Sequence, residues 1–174
     1  MPKLAAPIRI PEDERILAYV AGIVDGEGHI GINPSSPGAF KLTWSYSAQM
    51  TIVNTDARLM TWLVATFGSS VACHNPHRPG HWKLTYAWHL SGENLRRFLL
   101  AIRPYLLIKG EQADLALALF DLRKTKPLSK DIGVRKGAGR SAGRRPNDPE
   151  YVEAAQALYD RIRPLNARQK AEPA

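Results

Sequence analysis

Hydrophobic and polar positions alternate most strictly between residues 41 and 52. There Leu42, Trp44, Tyr46, Ala48, Met50 and Ile52 take turns with Lys41, Thr43, Ser45, Ser47, Gln49 and Thr51. A period of two held over that length predicts a long strand with one buried and one wet face. The same period returns over 82–90, where Trp82, Leu84, Tyr86, Trp88 and Leu90 alternate with Lys83, Thr85, Ala87 and His89. Residues 29–33 and 71–74 read as shorter strands, each followed by a proline-containing turn.

Helical spacing fills the gaps. Glu12-Asp13-Glu14 put negative charge on the first turn of a helix expected to run to about Asp25, with Ile16, Tyr19, Val20 and Ile23 inward. Gly26 and Gly28 are expected to break it. Asn54 or Thr55 is expected to cap a second helix, with Leu59, Met60, Leu63, Val64 and Phe67 inward and Gly68 closing it. Ser91 is expected to cap a third, with Leu95, Phe98, Leu99 and Ile102 on one face. Residues 111–122 form an apolar fourth helix, and 148–162 a last one that Pro164 should end. Two hairpins separated by helices predict an α+β fold, an antiparallel sheet covered on one face by helices. The expected organisation is an N-terminal arm (1–11), a core domain (12–127), and a C-terminal basic linker and helix (128–174).

Charge sharpens this picture. The chain of 174 residues carries a net charge of +8, and Asp56 is the one acidic residue between Gly28 and Gly92. Surfaces that face phosphates lack carboxylates in this way, although a fully buried sheet would too. Residues 123–145 hold nine Lys/Arg against one acid, Asp131, and Arg135, Lys136 and Arg140 in it suit a phosphate backbone. One cysteine, Cys73, excludes an internal disulfide and a Cys-rich zinc site. Neither a signal peptide nor a stretch of the roughly 20 apolar residues a membrane span needs is read, so the expected location is cytoplasmic. All four tryptophans are expected in the core.

The candidate chemistry sits in Val20-Ala21-Gly22-Ile23-Val24-Asp25-Gly26-Glu27-Gly28. Phosphodiester hydrolysis needs a divalent ion to activate water and stabilise the leaving oxygen. Mg²⁺ takes only one or two protein carboxylates and keeps several waters. Two readings stand for Asp25 and Glu27: a metal site, or a solvated helix end. An anion near a helix C-terminus is unfavourable, which leans toward function. Ala18, Ala21, Gly22 and Asp25 form a stripe of small residues along which a second helix can approach closely; two chains meeting there would bring two Glu27 side chains together.

VAGIVDGEG resembles the LAGLIDADG signature of the homing endonucleases, and the likeness extends over about residues 12–127. Val53-Asn54-Thr55-Asp56, before a helix ending in Gly68, resembles the family's strand-to-helix junction. Pro104 to Lys109, followed by Gln112, resembles the segment that delivers its active-site lysine. The resemblance implies an αββαββα core with a saddle-shaped antiparallel sheet. It implies a homodimer that cuts both strands of DNA at a long pseudo-palindromic site using Mg²⁺ (or Mn²⁺). Glu27 would bind the metal, aided by the Gly26 carbonyl. Asn54 stands where many members have a solvent-ordering glutamine, and Arg58 and Lys109 would stabilise phosphate charge or position water. Asn33, Lys41, Thr43, Ser45, Ser47, Gln49, Thr51, Lys83 and Thr85 would read bases and phosphates in the major groove; an ordinary solvated sheet face is their bland alternative. Two departures stand out: glutamate for the usual aspartate at 27, and asparagine for glutamine at 54. A non-cleaving DNA-binding regulator, or an RNA maturase that takes the host intron RNA as its partner, are the alternatives within the same fold.

Overall fold

In the computed structural model, Asp13 starts the first helix by accepting a hydrogen bond from the Arg15 amide at 2.9 Å. The structure describes residues 7–37, 43–74, 84–125 and 147–167. Their elements run α1 (Glu14–Glu27), β1 (Gly28–Ser35), β2 (Ser45–Asn54), α2 (Ala57–Phe67), β3 (Val71–His74), β4 (Thr85–Ser91), α3 (Gly92–Ile102), a 3-10 turn (Arg103–Tyr105), α4 (Gly110–Thr125) and α5 (Pro149–Leu165). This is the expected α+β order. The contacts group into two units, residues 1–30 with 49–113 and residues 31–48 with 114–174.

In the first unit the strands lie in the order β2-β4-β3. Gln49 to Asn54 pair antiparallel with Ser91 to Tyr86, and Val71 to His74 with Trp88 to Thr85. The predicted phase of β2 holds: Met50 and Ile52 are buried, while Gln49, Thr51 and Val53 face the other way. Opposite Met50 and Ile52, Leu90 and Trp88 are buried on the same face. They pack with Leu63, Phe67, Leu95, Phe98 and Leu99, which are all fully buried. Phe67 and Phe98 meet edge-on at 5.3 Å, and Trp88 and Phe98 at 5.4 Å, the geometry aromatic quadrupoles prefer. The Trp88 indole donates to the Gly68 carbonyl at 2.9 Å, so its one polar group is satisfied. Gly68 closes α2, as predicted, with φ of +86° and ψ of −151°, a conformation open to glycine.

In the second unit β1 lies beside β2. Pro34 is tolerated because β1 is at the sheet's edge. Tyr46 organises this unit. Its hydroxyl donates to Gln156 Oε1 at 2.5 Å, and its carbonyl accepts from the Arg123 guanidinium, whose Nε also donates to the Tyr151 hydroxyl at 3.3 Å. Burial pushes the Tyr46 hydroxyl above the usual phenol range, and the Asp160 carboxylate adds to this. The network ties α4 and α5 to β2 with Tyr151, Ala155 and Ile162 buried beneath.

Several expectations change. The first helix does not stop at Asp25 but continues to Glu27, because glycine inside a helix weakens it without ending it. Tyr19 is 61% exposed, resting edge-on against Trp62 at 5.2 Å, and Trp44 is 44% exposed; neither is core. The second helix is capped by Asp56, not by Asn54 or Thr55. Ser91 occupies the N-cap of α3 but its side chain makes no capping bond. Pro164 lies inside α5, which runs to Leu165. Among the described residues, no helix is long and apolar enough to cross a membrane.

Candidate active site at the end of the first helix

Gly28 is fixed by the chain's own packing. A Cβ there would stand 2.7 Å from the Val24 carbonyl oxygen, so only glycine lets β1 turn directly off the helix. This turn leaves Glu27 on the last residue of α1, exposed. Among the described residues the Glu27 carboxylate makes no hydrogen bond or ion pair.

Asp25, two residues earlier, is the opposite case. Its carboxylate accepts the backbone N–H groups of Leu107 at 2.8 Å, Ile108 at 3.3 Å and Lys109 at 2.9 Å. These amides precede α4, and the Lys109 carbonyl accepts the helical bond from Ala113. Asp25 therefore latches the start of α4 to the end of α1, which accounts for an anion where the helix dipole disfavours one. Its carboxylate is engaged within its own chain. Of the residues expected at a dimer interface, Ala21 is corrected: it is fully buried inside the protein. The exposed small residues of α1 are Ala18, Gly22 and Gly26. Space is open around Gly22 and Gly26, with nothing within 4 Å of a Cβ built on either.

The latch positions Lys109. Its ammonium donates to the Val24 carbonyl at 2.8 Å, which also accepts the Gly28 amide, and to the Asp25 carbonyl at 2.5 Å, in the last turn of the helix. Burial pushes this ammonium below the usual lysine range, while the carboxylates of Asp25 and then Glu27 oppose the shift. A lysine and a free carboxylate thus share the helix end. Gly26 supplies a further carbonyl from the same last turn.

The start of α2 holds the other two candidates. Asn54 Oδ1 accepts the Asp56 amide at 2.8 Å, an Asx turn that fixes the side chain and leaves its NH₂ group as a donor. Arg58 is paired with Asp56 through both Nε and NH2, the shortest contact being 2.5 Å. The pair holds the Asp56 carboxyl down at about 2. Thr55, Asp56, Arg58, Leu84 and Tyr86 line an open depression of about 450 Å³. No bond joins Glu27 to Asn54 or Arg58 among the described residues.

The sheet residues expected to read DNA divide by strand. Asn33 lies on β1, and Ser45 and Ser47 lie on β2 facing away from buried Tyr46 and Ala48. Thr43 Oγ1 accepts the Asn147 amide at 2.8 Å, a contact with the segment entering α5. Gln49, Thr51 and Thr85 are on the outward face of the other unit. Lys41, Lys83, Arg135, Lys136 and Arg140 lie outside the described residues. Sequence reasoning missed His89, outward on β4 and bonded to Thr51, and the exposed Leu107 and Ile108. Strict alternation through Trp88 and Leu90 already placed His89 on the wet face.

No protein-family profile matches the chain, and no curated protein matches it significantly. Solved structures do. The homing endonuclease I-CvuI, crystallised with the I-CreI target, superposes with a TM-score of 0.66 at 18% identity, over 92% of this chain and 87% of its own. The archaeal intron-encoded homing endonuclease I-Vdi141I, complexed with DNA, gives 0.64 at 11% identity over 94% and 91%. The LAGLIDADG meganuclease I-AabMI, bound to uncleaved DNA, gives 0.57 at 15% identity over 82% of this chain and 44% of its own. The fold is that of the LAGLIDADG homing endonucleases.

Proposed function

We propose that the protein is a LAGLIDADG-family endonuclease, a homodimer that hydrolyses both strands of duplex DNA at a long pseudo-palindromic site with Mg²⁺ or Mn²⁺. The observation that carries this is the exposed Glu27 carboxylate at the end of α1, without a hydrogen-bond partner among the described residues, beside a desolvated lysine, on a fold whose solved examples include DNA-bound homing endonucleases.

The residues fit a hard divalent ion in one respect and leave it incomplete in another. A lone carboxylate with a helix-end carbonyl suits Mg²⁺, which keeps most of its waters. Among the described residues no three His, Cys, Asp or Glu stand together. Glu27 and the Gly26 carbonyl would hold the ion, which when bound lowers the pKa of water and steadies the leaving oxygen. A second copy would contribute a second Glu27.

Three features support pairing. Ala18, Gly22 and Gly26 leave a bare strip along α1 that lets another helix backbone approach. Leu107 is 92% exposed and Ile108 72%, although three hydrogen bonds to Asp25 hold their segment; large apolar side chains displayed from a fixed backbone suit an interface. The chain also spans most of I-CvuI but only 44% of I-AabMI, as expected if the longer protein carries two such units.

Lys109 would hold a positive charge beside developing phosphate charge, its orientation set by the helix carbonyls it binds. Arg58 would exchange Asp56 for a phosphate. Its side chain is 92% exposed in the pair, and exposed ion pairs contribute so little that the exchange costs little. The NH₂ of Asn54 would order solvent. The basic segment with Arg135, Lys136 and Arg140 would track the backbone.

Incubating the protein with a random-sequence duplex pool in Mg²⁺, and sequencing the cut ends, tests the proposal. Staggered cuts at one quasi-symmetric site are expected. A pool that is bound selectively but never cut, in Mg²⁺ or Mn²⁺, makes the protein a DNA-binding regulator. Preference for structured RNA over duplex makes it a maturase.

A further inference from the structure

Strand register builds an uneven patch on the outward sheet face. Thr51 lies opposite His89, and Val53 opposite Ala87, which in turn lies opposite Ala72. Directly opposed residues share a face. Val53, 42% exposed, follows four outward residues on its strand that are all polar: Ser45, Ser47, Gln49 and Thr51. With Ala87, which is only 1% exposed, and exposed Ala72 it makes an apolar row across three strands, of which Val53 and Ala72 reach the surface. In the adjoining row Thr51 Oγ1 lies 2.9 Å from His89 Nδ1. That bond fixes the ring and leaves Nε2 as the nitrogen with no partner among the described residues.

One exposed valine on a strand needs no explanation by itself, since β-branched residues favour strands. The pairing of an apolar row with an oriented imidazole is more specific, because it matches the chemistry of the major groove. The thymine C5 methyl is the apolar group on that edge, and guanine presents two acceptors, N7 and O6. Taking the Thr51 hydroxyl as the donor to Nδ1 puts the ring proton on Nε2, which can then donate to a base. Adenine places an amino donor beside its N7, which opposes such a contact.

We infer that Val53 and His89 form a base-reading unit, Val53 touching a thymine methyl while His89 donates to a nearby guanine. Two residues along a strand span roughly 6.6 Å, and stacked base pairs are about 3.4 Å apart. The two bases read therefore lie within about two base pairs of each other. This inference rests on the DNA-cutting function proposed above and deepens it.

Base analogues in the duplex that the wild type selects provide the test. Deoxyuridine in place of each thymine removes only a methyl, and 7-deazaguanine in place of each guanine removes only N7. One thymine is expected at which uracil weakens wild-type binding about threefold or more, with a sensitive guanine within two base pairs. Val53→Ala should bind the thymine and uracil duplexes equally, and His89→Ala should ignore the deaza substitution, each variant keeping the wild-type penalties elsewhere and the wild-type melting transition. If the wild type selects a site and both variants keep every penalty, neither residue reads a base, while DNA recognition stands. Loss of one penalty only retains that residue as a reader and removes the other. If the wild type selects no duplex, the proposed function itself fails.

Discussion

The end of α1 and the start of α2 both place an aspartate among backbone amides, yet they leave the neighbouring charged group in opposite states. At the end of α1, Asp25 takes three amides from residues 107–109, and Glu27 has no hydrogen-bond or ion-pair partner among the described residues. At the start of α2, Asp56 caps the helix and also grips Arg58. Identical chemistry two residues apart thus divides into a carboxylate with a structural task and one with none. Saturation of hydrogen-bonding capacity separates them where residue type does not. A charged group that packing has provided with no partner is the one available for a ligand.

The comparison can be broken most severely at Asp25. Asp25→Asn keeps one acceptor and loses the charge that strengthens three bonds, so a loss of about 2 kcal/mol in unfolding free energy is expected by denaturant melting. A melt identical to wild type would show that the latch does not hold α4 to α1. Arg58→Ala comes next. It should slow cleavage of the selected duplex about tenfold, about 1.4 kcal/mol in the barrier, while its melt stays at the wild-type value because the pair is exposed. Unchanged cleavage would leave Arg58 as a partner of Asp56 and nothing more.

Gly22→Ala sharpens the contrast between glycines. Open space surrounds Gly22, so alanine should stabilise the isolated helix, by at most about 1 kcal/mol. Sedimentation should nonetheless show weaker self-association if two α1 helices pack there; an intact dimer removes the strip from the interface. Gly28, where a Cβ would strike the Val24 carbonyl, permits no such exchange.

The smallest effect concerns pH. The folded Asp56 carboxyl sits at about 2 against an ordinary 3.8, a depressed value. Its contribution is therefore complete above the ordinary value and fades as pH falls toward about 2. Side-chain NMR titration should find Asp56 still ionised near pH 3, roughly a unit below its ordinary value; titration with the other surface carboxylates would show that Arg58 does not hold it.

Much of this was legible in the chain. Alternation set the phase of β2, the glycine after Phe67 marked the end of α2, and the motif placed Glu27 at a helix-to-strand turn. What escaped shares a cause: partners distant in sequence. Asp25 bonds amides 82 to 84 residues away, and Tyr46 bonds Gln156 across 110. No local pattern encodes such pairs. Ala21 shows a second limit, because a small residue suits a tight core as well as a helix contact, and only packing decides. The Asx turn of Asn54 was within reach, since Asn two residues before a capping Asp is a local signal.

The most direct test of the free carboxylate is Glu27→Gln, assayed for binding and cleavage of the selected duplex in Mg²⁺. The isosteric amide removes the charge and disturbs no bond described for Glu27. Binding and melting should match the wild type while cleavage falls at least about a hundredfold, the scale of losing one charge-stabilising group at a reacting centre. Cleavage at the wild-type rate would contradict the account and return Glu27 to the status of a solvated helix end.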